Sequence, residues 1–98
     1  MATYKVKNLN GTSDNKLPTA YSSWLEYWSE ITGETPVFCM HSDCLFIANH
    51  GAHVKLVNSS NNAWYITPLC SQHNLANKEE FYVSGPLAPV NPSNPILK

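Results

Sequence analysis

Cys39-Met40-His41-Ser42-Asp43-Cys44 and, about 25 residues further on, Cys70-Ser71-Gln72-His73 are the two stretches on which a reading of this chain turns. Between them they hold all three cysteines and two of the four histidines. Thiolate and imidazole are the ligands that a tetrahedral zinc ion prefers, and a split set of four clips two loops of a small domain together. Cys39, Cys44, Cys70 and His73 are therefore expected to form one closed, structural zinc site. The four residues between Cys39 and Cys44 suit a knuckle at the tip of a hairpin. The Cys70-x2-His73 spacing lets a loop-to-helix junction present both ligands to one ion. His41, inside the knuckle, is the alternative ligand, and the bland alternative is three unrelated thiols in a reduced core.

Outward from the knuckle, Val37-Phe38 reads as a strand entering it and Leu45-Phe46-Ile47 as the strand leaving it. Residues 53 to 67 read as a β-hairpin around the polar turn Asn58 to Asn62, with Pro68 ending the second strand. Cys70 to Ala76 is expected to be a short helix, and Phe81-Tyr82-Val83 a last strand. Upstream, Tyr4 to Leu9 has a partial period of two that Asn10-Gly11 breaks, and residues 11 to 20 read as loop. Ser23-Trp24-Leu25-Glu26 matches a capping box, Trp24, Trp28 and Ile31 recur at helical spacing, and Gly33 stands where a left-handed cap belongs. Glu26, Glu30 and Glu34 make an acidic stripe, read either as a solvated face or as a docking strip for a basic partner. Pro86, Pro89, Pro92 and Pro95 keep the polyproline II period and suggest a loosely attached tail. The expected organisation is a single domain over 1–98: strand and helix in 1–35, a zinc core in 36–83 and a Pro-rich tail in 84–98.

The 98 residues are 43% hydrophobic and include three Trp, five Tyr and three Phe. A core of this size is only moderately self-sufficient, so each aromatic, worth about 150–250 Å² of buried surface, matters, and a metal would supplement them. Charge is sparse, the formal net charge is −1, and every basic residue is a lysine. Lys5, Lys7, Lys16, Lys55, Lys78 and Lys98 are scattered along the sequence, which argues against strong autonomous binding of a nucleic-acid backbone. No apolar run resembles a signal peptide or reaches the roughly 18 residues of a membrane span. Three cysteines leave one over from any disulfide framework. Together these point to a cytoplasmic protein, to metal rather than disulfides, and to no membrane partner.

The order Cys39-x4-Cys44, Gly51-Ala52-His53-Val54, a hairpin, then Pro68-Leu69-Cys70-Ser71-Gln72-His73-Asn74 resembles the zinc-containing branch of the HNH nuclease superfamily over about 40 of the 98 residues. The resemblance implies an α+β fold: a small zinc-stabilised ββα or treble-clef core, here with an N-terminal amphipathic helix. It also implies His53 as general base on the attacking water, and Asn74, with His50 as the alternative, as ligand of a catalytic Mg or Mn ion. Two positions depart from the pattern. Ala52 stands where active members often carry an aspartate ligand, and Tyr65 falls at or close to the central asparagine position. More broadly, Asn10 to Asp14, Ser23 to Trp28, Gly51 to Val54 and Trp64 to Cys70 resemble a group of small uncharacterised Cys/His proteins. Some of these carry Cys-Pro-Cys where this chain has Leu17-Pro18-Thr19. That group implies a stand-alone domain, and Leu17 and Thr19 argue against a second metal site.

The expectation is thus a zinc-binding, HNH-like module that has lost part of its catalytic site and acts by contact with a protein partner, such as a phage or plasmid inhibitor of a nucleic-acid enzyme. The alternative is an active metal-dependent endonuclease with His53 as base. A third reading is a regulatory thiol protein in which a helix N-terminus activates Cys70.

Overall fold

A computed structural model of the chain describes residues 3–9, 20–41, 44–57, 63–71, 80–91 and 93–97. Among these residues the elements follow one another as β1 (Thr3–Asn8), α1 (Trp24–Thr32), β2 (His50–Leu56), β3 (Trp64–Leu69), β4 (Glu80–Ser84) and β5 (Ala88–Pro89). The strands form one sheet in the order β4-β1-β2-β3-β5, and every neighbouring pair is antiparallel.

That order forces the sheet to curl. β4 and β5 are opposite edges, yet only Gly85, Pro86 and Leu87 separate them in the chain. A flat sheet would put the edges about 19 Å apart, four spacings of about 4.8 Å. The link from Ser84 to Ala88 can reach only about 14 Å. Met40 also bridges β3 and β4: its amide donates to the Pro68 carbonyl of β3 (2.8 Å), and its carbonyl accepts from the Ser84 amide of β4 (3.0 Å). The backbone hydrogen bonds thus run round as a ring at this end.

Alternation along the strands sorts residues to the two sides of the curl. Val6, Val54, Leu69, Val83 and Leu87 point inward and are wholly buried together. On the outer side, Ile66 and Ala88 are covered by Tyr27 and Trp28 of α1. The Trp28 indole donates to the Pro86 carbonyl (3.0 Å) and the Tyr27 hydroxyl to the Pro89 carbonyl. The helix can lie this close because β2 offers Gly51 beneath it. A Cβ there would come within 2.6 Å of the Leu25 nitrogen and of the Trp24 carbonyl carbon.

The helix ends follow the sequence. The Ser23 hydroxyl accepts from the Glu26 amide (3.0 Å), and Gly33 caps the C-terminus at φ 75°. The Glu26 carboxylate reaches back one residue further than the cap, to the amide and hydroxyl of Ser22, which hold its carboxyl below the usual range.

The fold expected from the HNH resemblance is not the one adopted. Instead of a ββα or treble-clef core with a helix ahead of it, the chain builds a mostly antiparallel five-stranded sheet, and α1 is laid across the outside of that sheet. The reason lies outside the motif-bearing middle. Tyr4, Val6, Phe81 and Val83 are alternating apolar residues that need a covered face, and β1 supplies it by pairing with both β2 and β4. β1 therefore sits inside the sheet and draws the expected β-hairpin into it. Pro68 lies within β3 rather than ending it. Its carbonyl faces Met40, so the missing amide faces the same way and costs the β2 ladder nothing.

The proline-rich segment is also part of the fold. Leu87 and Ala88 are fully buried, β5 pairs with β3, and Leu97 exchanges backbone hydrogen bonds with Leu87. Among the described residues, no helix is long and apolar enough to cross a membrane. Folding brings Lys5, Lys7 and Lys55 to neighbouring outward positions, with Lys7 and Lys55 directly paired across β1 and β2. Glu80 pairs with Lys7 and lies 3.4 Å from the Lys5 ammonium, which offsets part of that charge.

Candidate metal centre

Residues 37–41 and 44–48 form the two arms of a hairpin. The Cys39 amide donates to the Phe46 carbonyl (2.8 Å), the Ala48 amide to the Val37 carbonyl (3.1 Å), and Phe38 bridges Ile47. The Cys44 amide donates to the His41 carbonyl (3.1 Å), folding the tip back. Two bonds fasten this hairpin to the end of β3: Met40 to Pro68, and the Asn49 amide to the Leu69 carbonyl (3.1 Å). The next residue is Cys70. The entry arm, the tip and the end of β3 are thereby held at one point, and each contributes a cysteine.

The three sulfurs lie within 4.8 Å of one another, and those of Cys44 and Cys70 are 3.9 Å apart. Zn–S bonds of about 2.3 Å at tetrahedral angles place two sulfurs about 3.8 Å apart, whereas a disulfide would need about 2.05 Å. None of the three is joined as a disulfide. The three thiols are close enough together to hold one metal ion.

The electrostatics suit a cation as well. Cys39 and Cys70 are buried, and Cys44 is half-buried. Burial, which disfavours the thiolate, pushes the Cys39 thiol up to about 12, and hydrogen bonds from the backbone of Cys70 and His41 pull against that rise. A thiolate here lacks water and gains two backbone donors. A cation would supply the remaining compensation.

The other residues singled out from the sequence are placed as follows. His73 and Asn74 lie outside the described residues, as do Ser42, Asp43, the turn Asn58 to Asn62 and the expected helix beyond Ser71. Among the described residues, no histidine or carboxylate joins the three sulfurs within that distance. His41 stacks on Phe81, with ring centroids 5.2 Å apart and planes 11° from parallel.

His53 points to the helix side, away from the cysteines. It is 6% exposed, enclosed by Trp24 (centroids 4.7 Å) and Trp64 (6.3 Å), and its Nε2 has no hydrogen-bond partner among the described residues. Burial holds its imidazole below the ordinary range. Ala52, on the opposite side of the strand, is buried in the inner core.

The sequence reading missed Asn49, which with His50 and Ser71 forms a small polar cluster. The His50 Nε2 lies 3.1 Å from the Ser71 hydroxyl, and the Asn49 amide nitrogen donates to the same oxygen (3.1 Å). This cluster ties the start of β2 to the residue after Cys70 and so fixes a ligand-bearing backbone from behind. Only the register of β2 against β3, in which His50 faces Leu69, could have revealed it. No family model, curated protein or solved structure matches this chain.

Proposed function

We propose that the chain is a metal-binding β-domain in which Cys39, Cys44 and Cys70, with His73 as fourth ligand, hold one structural zinc ion, and that it acts by contact rather than catalysis. The observation that carries the reading is the convergence of three sulfurs, drawn from the knuckle and the end of β3, to within 4.8 Å of one another. Zinc fits because three soft thiolates in a partly buried pocket favour a thiophilic ion over magnesium or calcium. A closed set of four protein ligands leaves no position for substrate, so the ion's role is to hold the knuckle on the sheet. The ligand set rests on the spacing of the cysteines and histidine, and the fold implied by the HNH resemblance is not retained.

The burial of His53 supports contact over hydrolysis. A general base must reach a water molecule at a scissile bond, and the Nε2 of His53 is shut beneath two indoles. The exposed apolar side chains of the knuckle supply a surface for a protein partner.

The test is elemental analysis of the purified protein, followed by replacement of zinc with cobalt(II). One zinc per chain is expected, and cobalt should give intense tetrahedral d–d bands and thiolate charge-transfer absorption that Cys44→Ser weakens. Absence of stoichiometric metal, with a pale octahedral cobalt spectrum, would overturn the metal reading. Cleavage of plasmid DNA or of RNA in Mg²⁺ or Mn²⁺, abolished by His53→Ala, would overturn the contact reading.

A further inference from the structure

The knuckle that carries two of the cysteines also carries, among the described residues, nearly all of the large apolar side chains left in water. Val37 is 50% exposed, Phe38 53%, Ile47 71%, Phe46 63% and Leu45 82%. Strand alternation puts Phe38, Leu45 and Ile47 on one face of the hairpin and Val37 and Phe46 on the other, and at roughly 150 Å² or more each the five together leave on the order of 500 Å² of apolar surface in water. Among the described residues of the hairpin, from 37 to 41 and from 44 to 48, none is charged.

The backbone of the patch is open too. The Phe38–Ile47 bridge is flanked by the Cys39–Phe46 and Ala48–Val37 bonds, so both residues turn their own N–H and C=O groups away from the hairpin. Among the described residues, neither Phe38 nor Ile47 makes a hydrogen bond through those groups. An exposed apolar strand with an unpaired edge is a template for another strand.

We propose that the occupant is a second copy of this chain, paired antiparallel through the Ile47 edge about a two-fold axis. The inference rests on the contact reading of the knuckle and names its partner. Three observations favour a second copy. A residue lying on a two-fold axis pairs with itself, and the outward N–H and C=O of Ile47 supply both reciprocal hydrogen bonds of that pair. The described residues of the hairpin carry no charge to complement a charged protein or an anionic membrane, whereas an identical copy presents the same apolar surface. The about 500 Å² of apolar surface beside that edge falls short of the about 800 Å² per partner of a standard interface and matches a weaker, concentration-dependent pairing.

The experiment is sedimentation velocity on the zinc-loaded protein over a concentration series, with zinc per chain measured in the same samples. The wild type is expected to run at twice the chain mass of 10.9 kDa. Ile47→Lys places like charges opposite each other on the axis, and should raise the dissociation constant at least about 100-fold while zinc content and the circular dichroism spectrum of the folded chain stay unchanged. Because Ile47 is largely in water, the variant leaves the monomer fold intact. Ile47→Cys should form a bridge between the two substituted positions under mild oxidation, since paired Cα atoms about 5.5 Å apart suit a disulfide. A wild-type monomer that retains one zinc would overturn the dimer and leave the metal reading standing. A dimer unaffected by Ile47→Lys, or a monomer that co-floats with neutral phosphatidylcholine vesicles, would overturn it as well.

Discussion

Replacing Gly51 with alanine tests how the helix is seated. The added Cβ would meet the Leu25 nitrogen and the Trp24 carbonyl carbon at 2.6 Å and the Trp24 Cβ at 2.8 Å. Two of these are backbone atoms, so no rotation of a side chain relieves the collision. To restore ordinary contact the first turn of α1 must retreat from β2 by roughly 1 Å. Tyr27 and Trp28 would move with it, loosening their contacts with Ile66 and Ala88 and lengthening their bonds to Pro89 and Pro86. A radial gap of about 0.5–1 Å forfeits a quarter to a half of the dispersion well over that face. Overpacking against a rigid neighbour costs about 1–3 kcal/mol, and the collision here belongs at the upper end. The lower entropy of the unfolded alanine chain returns about 0.4–1 kcal/mol. The net loss of about 2 kcal/mol corresponds to a fall in Tm of about 8–16 °C for a domain of this length. Thermal unfolding of zinc-loaded protein, followed by tryptophan fluorescence and near-ultraviolet circular dichroism, measures it. A fall of under about 4 °C would refute the reasoning, because the strand would then have had room for the side chain. Gly33→Ala is the control: nothing lies within 4 Å of its Cβ, so it should cost only the about 1 kcal/mol of holding a left-handed alanine.

On the proposed zinc reading, Cys70→Ser should release the metal and unfold the central unit with its knuckle, since structural zinc is worth about 10–16 kcal/mol against a whole-domain stability of about 5–15 kcal/mol. Faster amide exchange across residues 37–48 checks this, and unchanged protection there would contradict it. His53 is held below its ordinary value of 6.5 by burial, so below that pH the unfolded chain takes up a proton that the native state resists. Stability should therefore fall as pH falls from 6.5 to the folded value, by up to about 1.4 kcal/mol per unit. His53→Phe should flatten that limb, and parallel stability–pH curves would rule the cause out. Trp28→Phe removes the indole donor and leaves the buried Pro86 carbonyl unpaired, for a loss of about 2–4 kcal/mol by urea denaturation. A loss below about 1 kcal/mol would mean that the carbonyl finds another donor.

Features set by neighbours in sequence were legible without a structure. Ser23, Glu26 and Gly33 placed α1 because capping is decided within a single turn. The spacing of Cys39, Cys44 and Cys70 announced that three thiols would converge, and they do. The pairing of β1 was not legible. Val6 meets Leu56 on one side and Phe81 on the other, and nothing local to Tyr4–Leu9 encodes either partner. A strand that alternates apolar and polar residues states that it needs a covered face and leaves open which strands provide it. The proline period misled for a related reason. Spacing by three is compatible with an extended segment in water, but Pro86 and Pro89 are fixed by Trp28 and Tyr27 from about 60 residues upstream. His53 illustrates the same limit, since a glycine-alanine-histidine motif describes a strand and does not say that an indole will lie over it.

The place of β1 inside the sheet bears on how the chain reaches this structure. β1 is the earliest strand, yet its register ties Tyr4 to Val83 across nearly the whole chain. No order of assembly that follows synthesis can complete the sheet, because β2 and β3 can pair early while one side of β1 must wait for β4. Closing so long a loop is slow, and the contacts that reward it form together near the end. Refolding should then appear as a single late step in which the sheet, the helix seat and the sulfur cluster gain protection at one rate, with the β2–β3 hairpin alone able to form ahead of them.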